Sequence, residues 1–334
     1  MNTIDLSIEY AGLKLRNPLI VSSSELTNSL DKIKLFAESG AGAIVLKSLF
    51  EEQIMTQINE EMQTVNSNYP EAKEYLEGYT LSEQLETYLE LIKDSKKACQ
   101  IPIIASINCY THRNWISFAR EIEKAGADAL EINIMYIDTD PEWENGKCEM
   151  MHINILRDIK KSIQIPVIMK LSRQFTNPVS LINQLQHNGA AAVVLFNRSY
   201  MPDINIQDFT FSTAPVLSDP SNFHETFRWV GIVAGILPQV CISASGGIHT
   251  APEMIKSILA GAQVAQICSS IYKKGAEVIP FILTELIIWM KDHNFHSIDQ
   301  FKGKMNHILI DEDQNHFIRT QFMKYFTQNG VSKN

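Results

Sequence analysis

A chain of 334 residues with 29 Lys and Arg against 38 Asp and Glu, a net charge of -9, offers no basic footprint for a nucleic-acid backbone. Its five cysteines (Cys99, Cys109, Cys148, Cys241, Cys268) lie scattered without a C-x-x-C pair, which argues against zinc, iron–sulfur and secreted disulfide frameworks, so no metal is expected. The first twenty residues hold no apolar run of signal or anchor length, and IPFILTELIIWM (279–290) is interrupted by Glu285; the expectation is a soluble cytoplasmic protein with no membrane partner.

In chain order, eight short apolar runs fall near residues 18–23, 43–48, 102–108, 128–134, 166–172, 192–197, 240–245 and 264–268. Four of them, in ESGAGAIVLK, KAGADALEIN, HNGAAAVVLFN and LAGAQVAQIC, follow an amphipathic pattern that ends in Gly-Ala. That Gly suits a helix C′ position, and the run after it reads as a strand buried on both faces. Of the other four (NPLIVSSS, IPIIASIN, IPVIMKLS, QVCISASGG), three carry Pro at or before the strand start, where a missing N–H does least harm. Helical patterns such as NWISFAREIEKAG (114–126) and MIKSILAGA (254–262) lie between them.

Eight alternating units predict a single (β/α)8 TIM barrel domain over residues 1–334, an α/β fold, with an open doubly wound sheet as the alternative. Insertions are expected after strand two (49 to about 80), strand four (135–150) and strand six (198–230). A helical tail over about 289–334 starts a helix at Ser297 as cap.

In a barrel the C-terminal strand ends form the active face. Here they read Ser22 and Ser23, Lys47 and Ser48, Ser106 and Asn108, Asn133, Lys170, Asn197, Gly246 and Gly247, Cys268 and Ser269. Polar residues are common where strands end. Two lysines at the ends of buried strands favour an anionic or electron-rich ligand as partner, the alternative being that one of them snorkels to solvent. Taken alone, Gly246-Gly247 is an ordinary tight turn; after strand seven it favours a phosphorylated cofactor. His112, His224 and His249 form no metal set and read as ordinary loop residues.

The stretches GAGAIVLKS, PIIASINCYTHRNWISFAREIEKAGADALEIN, IPVIMKLS and SGGIHTAPEMIKSILAGAQVAQICS resemble the dihydroorotate dehydrogenase family of barrels that use flavin mononucleotide (FMN). They are also similar to the pyrimidine-reducing domain of dihydropyrimidine dehydrogenases. The resemblance implies FMN as cofactor, its phosphate on backbone N–H groups of Gly246, Gly247, Cys268 and Ser269. It puts the flavin ring against Ser22, Ser23, Lys47, Asn108, Asn133 and Lys170, with Lys170 stabilising the anionic reduced ring. A small dihydropyrimidine-like substrate falls to Lys47, Asn66, Asn133, Asn197 and Ser199. The implied activity is a CH–CH oxidoreductase converting dihydroorotate to orotate in pyrimidine biosynthesis, as a homodimer.

The loop after strand four departs from the family. Where the family has a Cys or Ser base before Pro-Asn, this chain reads Asn133-Ile134-Met135-Tyr136-Ile137-Asp138, so the catalytic pair becomes Tyr136 and Lys170. A phenol holds its proton at neutral pH and suits a donor better than a base. Asp138 in place of Asn repels a substrate carboxylate. The substrate loop after strand two, NSNYPEA, keeps Asn66, Ser67 and Pro70 of the family's pattern. A catalytically inactive FMN-binding protein is the alternative reading. A tRNA-reducing flavin barrel is a third, which the acidic balance disfavours.

Overall fold

The structure, a computed structural model, describes residues 4–56, 70–109, 112–137, 139–142, 144–306 and 317–318. Eight parallel strands form its centre: β1 (Leu19–Val21), β2 (Ala43–Val45), β3 (Ile103–Asn108), β4 (Ala129–Asn133), β5 (Val167–Leu171), β6 (Ala192–Leu195), β7 (Ile242–Ser245) and β8 (Val264–Ile267). Each pairs with the next in sequence, and β8 returns to β1 with Leu19 opposite Ala265, so the sheet closes on itself. The closed barrel rules out the open doubly wound sheet. The strands are buried on both faces almost throughout, as a parallel sheet under helices requires.

The longer helices are α1 (Leu30–Glu38), α2 (Pro70–Ala98), α3 (His112–Ala125), α4 (Lys147–Lys160), α5 (Pro178–His187), α6 (Phe223–Ile236), α7 (Ala251–Ala260) and α8 (Val278–Asp292), with a short helix, Ser269–Lys274, directly after β8. The repeat found in the sequence has a physical cause. Gly40, Gly126, Gly189 and Gly261 have φ of 109°, 94°, 94° and 122°, the left-handed side that ends a helix at small cost only for glycine.

The insertions are more ordered than expected. Helix α2 begins at Pro70, inside the segment read as a loop to about residue 80, and α4 begins at Lys147. Pro is suited to a first helical position because the N–H it lacks there has no intrahelical acceptor. The insertion after β6 carries an antiparallel hairpin, Pro202–Asn205 against Thr210–Thr213. In the tail, Ser297 caps a single 3-10 turn, Ile298–Gln300, instead of the expected longer helix. Beyond it the N–H groups of Gly303 and Met305 donate to Ile258 and Leu259 at 2.9 and 2.8 Å. Phe317 packs on α6, where a Cβ on Gly231 would come within 2.3 Å of its ring.

A hairpin before β1, Ile8–Tyr10 against Leu13–Leu15, turns on Ala11 and Gly12 with φ of 53° and 78°. Two positive φ values in a two-residue turn match the right-handed twist of the strands. The Ala11 N–H donates to Cys241 Sγ at 3.5 Å, just before β7, so the hairpin closes the N-terminal end of the barrel with Tyr10 fully buried. No described helix is long and apolar enough to cross a membrane.

Candidate active site

At the other end, the strand termini and the insertion after β6 enclose a cavity of about 740 Å³, within the usual range for a small-molecule site. Ser22 and Ser23 reach it from β1, Lys170 from β5, Asn197 and Ser199 from β6, Gly246 and Gly247 from β7, and Cys268 and Ser269 from β8. Tyr200, Met201 and Thr213–Val216, at the base of the exposed hairpin, form a wall. Among the described lining residues the charged side chains are Lys170, Arg173 and Arg198; none is a carboxylate. In a chain of net charge -9 this is a local reversal, and it suits an anion.

Lys170 is 5% exposed and held by a closed ring of hydrogen bonds. Its Nζ donates to Glu131 Oε1 at 3.2 Å and to Ser22 Oγ at 3.3 Å. Ser22 Oγ donates to Gln266 Oε1 at 2.9 Å, and Gln266 Nε2 donates to Glu131 Oε2 at 3.0 Å. A buried ammonium keeps its charge only with such company. The ring joins β1, β4, β5 and β8, so the cation at the cavity floor is fixed by the barrel itself.

Beside it, Asn197 Nδ2 donates to Asn133 Oδ1 at 2.7 Å. The carboxamide of Asn133, 5% exposed, keeps its own N–H pair unbonded among the described residues. Register places Asn133 directly opposite Lys170. A second chain runs from Ser23 through Ser48 to Ser106, with Oγ separations of 3.1 and 2.7 Å.

The Gly-Gly turn fits a phosphate on backbone grounds. Gly246 and Gly247 have φ of 107° and 73°, and among the described residues their N–H groups make no hydrogen bond. A Cβ on Gly247 would lie 2.3 Å from the Phe223 backbone nitrogen, so packing as well as φ demands glycine there. Ser218 straps this end: its N–H donates to Ser269 Oγ at 2.9 Å, its carbonyl accepts from Lys273 at 2.8 Å, and its Oγ meets His249 Nε2 at 3.1 Å. Burial, helped by the Lys273 cation, pushes the His249 pKa below the ordinary imidazole value. His249 is therefore not the ordinary loop residue expected. Burial also raises the Cys268 thiol pKa and keeps it protonated.

Other expected residues lie apart. Lys47 pairs with Glu25 and lines a neighbouring cavity of about 530 Å³; Phe50 and Gln53 line both cavities. Asn108 ends β3 opposite Phe50 and is not among the lining residues of either. Tyr136 is 42% exposed, outside the described lining of the main cavity. Asn66 and Asp138 lie outside the described residues.

Residues missed in the sequence are Glu131, Gln266, Arg173 and Ser218. The first carried a signal: an acid inside a strand buried on both faces needs a cation as surely as the lysines need an anion.

A family model described as dihydroorotate dehydrogenase matches residues 5–290. The chain is 26% identical over 315 residues to the dihydroorotate dehydrogenase B (NAD(+)), catalytic subunit, of Thermoplasma acidophilum, covering 90% of this chain and 98% of that one. To the protein of the same name from Methanocaldococcus jannaschii it is 24% identical, covering 86% and 94%. To the chloroplastic dihydropyrimidine dehydrogenase (NADP(+)) of Arabidopsis thaliana it is 24% identical, covering 90% and 76%. The likeness carried by the four motif stretches is borne out.

Proposed function

Because the chain belongs to the dihydroorotate dehydrogenase family of oxidoreductases, we propose that it is an FMN-dependent enzyme of the cytoplasm that oxidises or reduces a CH–CH bond in a dihydropyrimidine-like ring. The observation that carries this reading is Lys170, a buried cation fixed in a cavity that is also lined by the Gly-Gly turn and, among the described residues, by no carboxylate. Bound FMN would supply the hydride acceptor. The chain's own work is to place and polarise. Gly246, Gly247 and Ser269 would hold its phosphate through N–H groups at a turn and at the start of a short helix. Lys170 would supply positive charge to stabilise the negative charge that a flavin ring gains on reduction. Asn197 lines the cavity and is bonded to Asn133, which is not among its lining residues but whose two amide donors would serve the ring or substrate.

The proton would fall to Tyr136, three residues past Asn133 and 42% exposed. Dihydroorotate is the first substrate to test, and a homodimer is the proposed assembly. Purified protein is expected to be yellow, to release FMN on denaturation, and to bleach anaerobically with dihydroorotate. Colourless protein that does not take up FMN overturns the proposal; bound FMN without bleaching removes dihydroorotate only.

The exposure of Tyr136 supports a second reading, a flavin-binding protein without catalysis. Under it Tyr136→Phe changes no turnover in any substrate screen, whereas the leading reading expects a loss of about a hundredfold.

A further inference from the structure

Among the described residues three cations line the cavity, and two are committed. Lys170 is tied to Glu131 and Ser22. Arg198 spends its guanidinium on the Val216 carbonyl at 2.6 Å, the Pro215 carbonyl at 2.5 Å and Asn222 Oδ1 at 3.1 Å. Arg173, two residues past β5, is held from one side only: Nη1 donates to Glu225 at 2.8 Å, while Nε is buried and has no partner among the described residues. Its Nη2 lies 3.3 Å from where a Cβ on Gly246 would stand. The guanidinium therefore flanks the same turn whose two N–H groups are unbonded.

We propose that Arg173 is a specificity-determining residue that makes this cavity select a phosphate monoester over its dephosphorylated form. Unbonded backbone N–H groups and a guanidinium with spare donors stand at one turn, and a phosphate has three oxygens to satisfy them. Glu225 anchors the outer nitrogen, so the arginine is oriented before the anion arrives and little side-chain freedom is lost on binding. The inference rests on the FMN reading for the rest of the ligand.

The test uses full-length protein stripped of flavin, as wild type, Arg173→Ala and Arg173→Lys. Each is titrated with FMN and with riboflavin by fluorescence quenching, and with inorganic phosphate by thermal shift. Arg173→Ala is expected to weaken FMN roughly ten- to hundredfold and leave riboflavin unchanged. Arg173→Lys, which keeps the charge, recovers part of the difference. Equal losses for both flavins, or no loss for FMN, overturn the proposal. If wild type binds neither flavin yet is stabilised by phosphate through Arg173, the anion site stands and the cofactor reading falls. If neither flavin nor phosphate registers, both fall.

Discussion

Glu131 and Lys170 face each other at 3.2 Å inside the barrel, on adjacent strands, with side chains 0% and 5% exposed. A buried pair of this kind costs much desolvation and contributes little net stability, but breaking it is expensive. Glu131→Gln leaves the lysine buried without its counter-charge and is expected to lower the unfolding free energy by about 3–5 kcal/mol in urea titrations. The double variant Glu131→Leu, Lys170→Met is expected to recover most of that loss while the protein no longer retains flavin. Recovery of stability together with flavin would mean that Lys170 has no part in the cavity's chemistry.

Gly247→Ala is expected to be worse than its backbone angle alone predicts. Gly146, with φ of 85° and nothing within 4 Å of an added Cβ, is the matched control. At Gly247 the same methyl meets backbone. Gly146→Ala should cost about 1 kcal/mol and Gly247→Ala clearly more, read as the difference between two melting curves.

Arg198 is a clasp on the hairpin base, bonded to Pro215, Val216 and Asn222. Arg198→Ala should loosen the hairpin and spare the barrel. Chymotrypsin would then cut faster at Phe209 and Phe211, which are 89% and 83% exposed, with the barrel's melting transition little changed.

Stability should fall on the acid side through His152. Its Nδ1–H donates to the Cys148 carbonyl at 2.7 Å, and Nε2 is buried without a partner among the described residues. Burial pushes this imidazole below its ordinary 6.5, outweighing the Cys148 bond and Glu149, which pull it up. The unfolded chain therefore takes up the proton first as pH falls. The contribution is intact above about 6.5 and is lost below it, by up to about 1.4 kcal/mol per pH unit while only the unfolded state is protonated. His249 adds a share of the same sign. Urea midpoints followed from neutral to mildly acidic pH should show His152→Gln with the flatter acid limb.

The barrel could be read from the sequence because its signal is repetitive and steric. Gly40, Gly126, Gly189 and Gly261 recur where a helix must stop before a buried strand, and Lys170 stands out as a charge at such a strand's end. Glu131 and Gln266 were hidden because their interest lies in meeting each other across 135 residues, which no local pattern encodes. The hairpin 202–213 escaped because it packs no apolar face and so shows no strand-like alternation of buried and exposed residues. The start of helix α2 is hidden because NSNYPEA reads as part of a substrate loop, and Pro70 opens the helix there.

The small hairpin around Ala11 and Gly12 covers the end of the barrel away from the cavity. With Tyr10 buried at that end, the proposed flavin would be reached from the cavity side, where electron donor and acceptor would share one space. In the proposed enzyme an electron donor must vacate before an acceptor can enter. Turnover then alternates between two half-reactions, and double-reciprocal plots at several acceptor concentrations should run parallel.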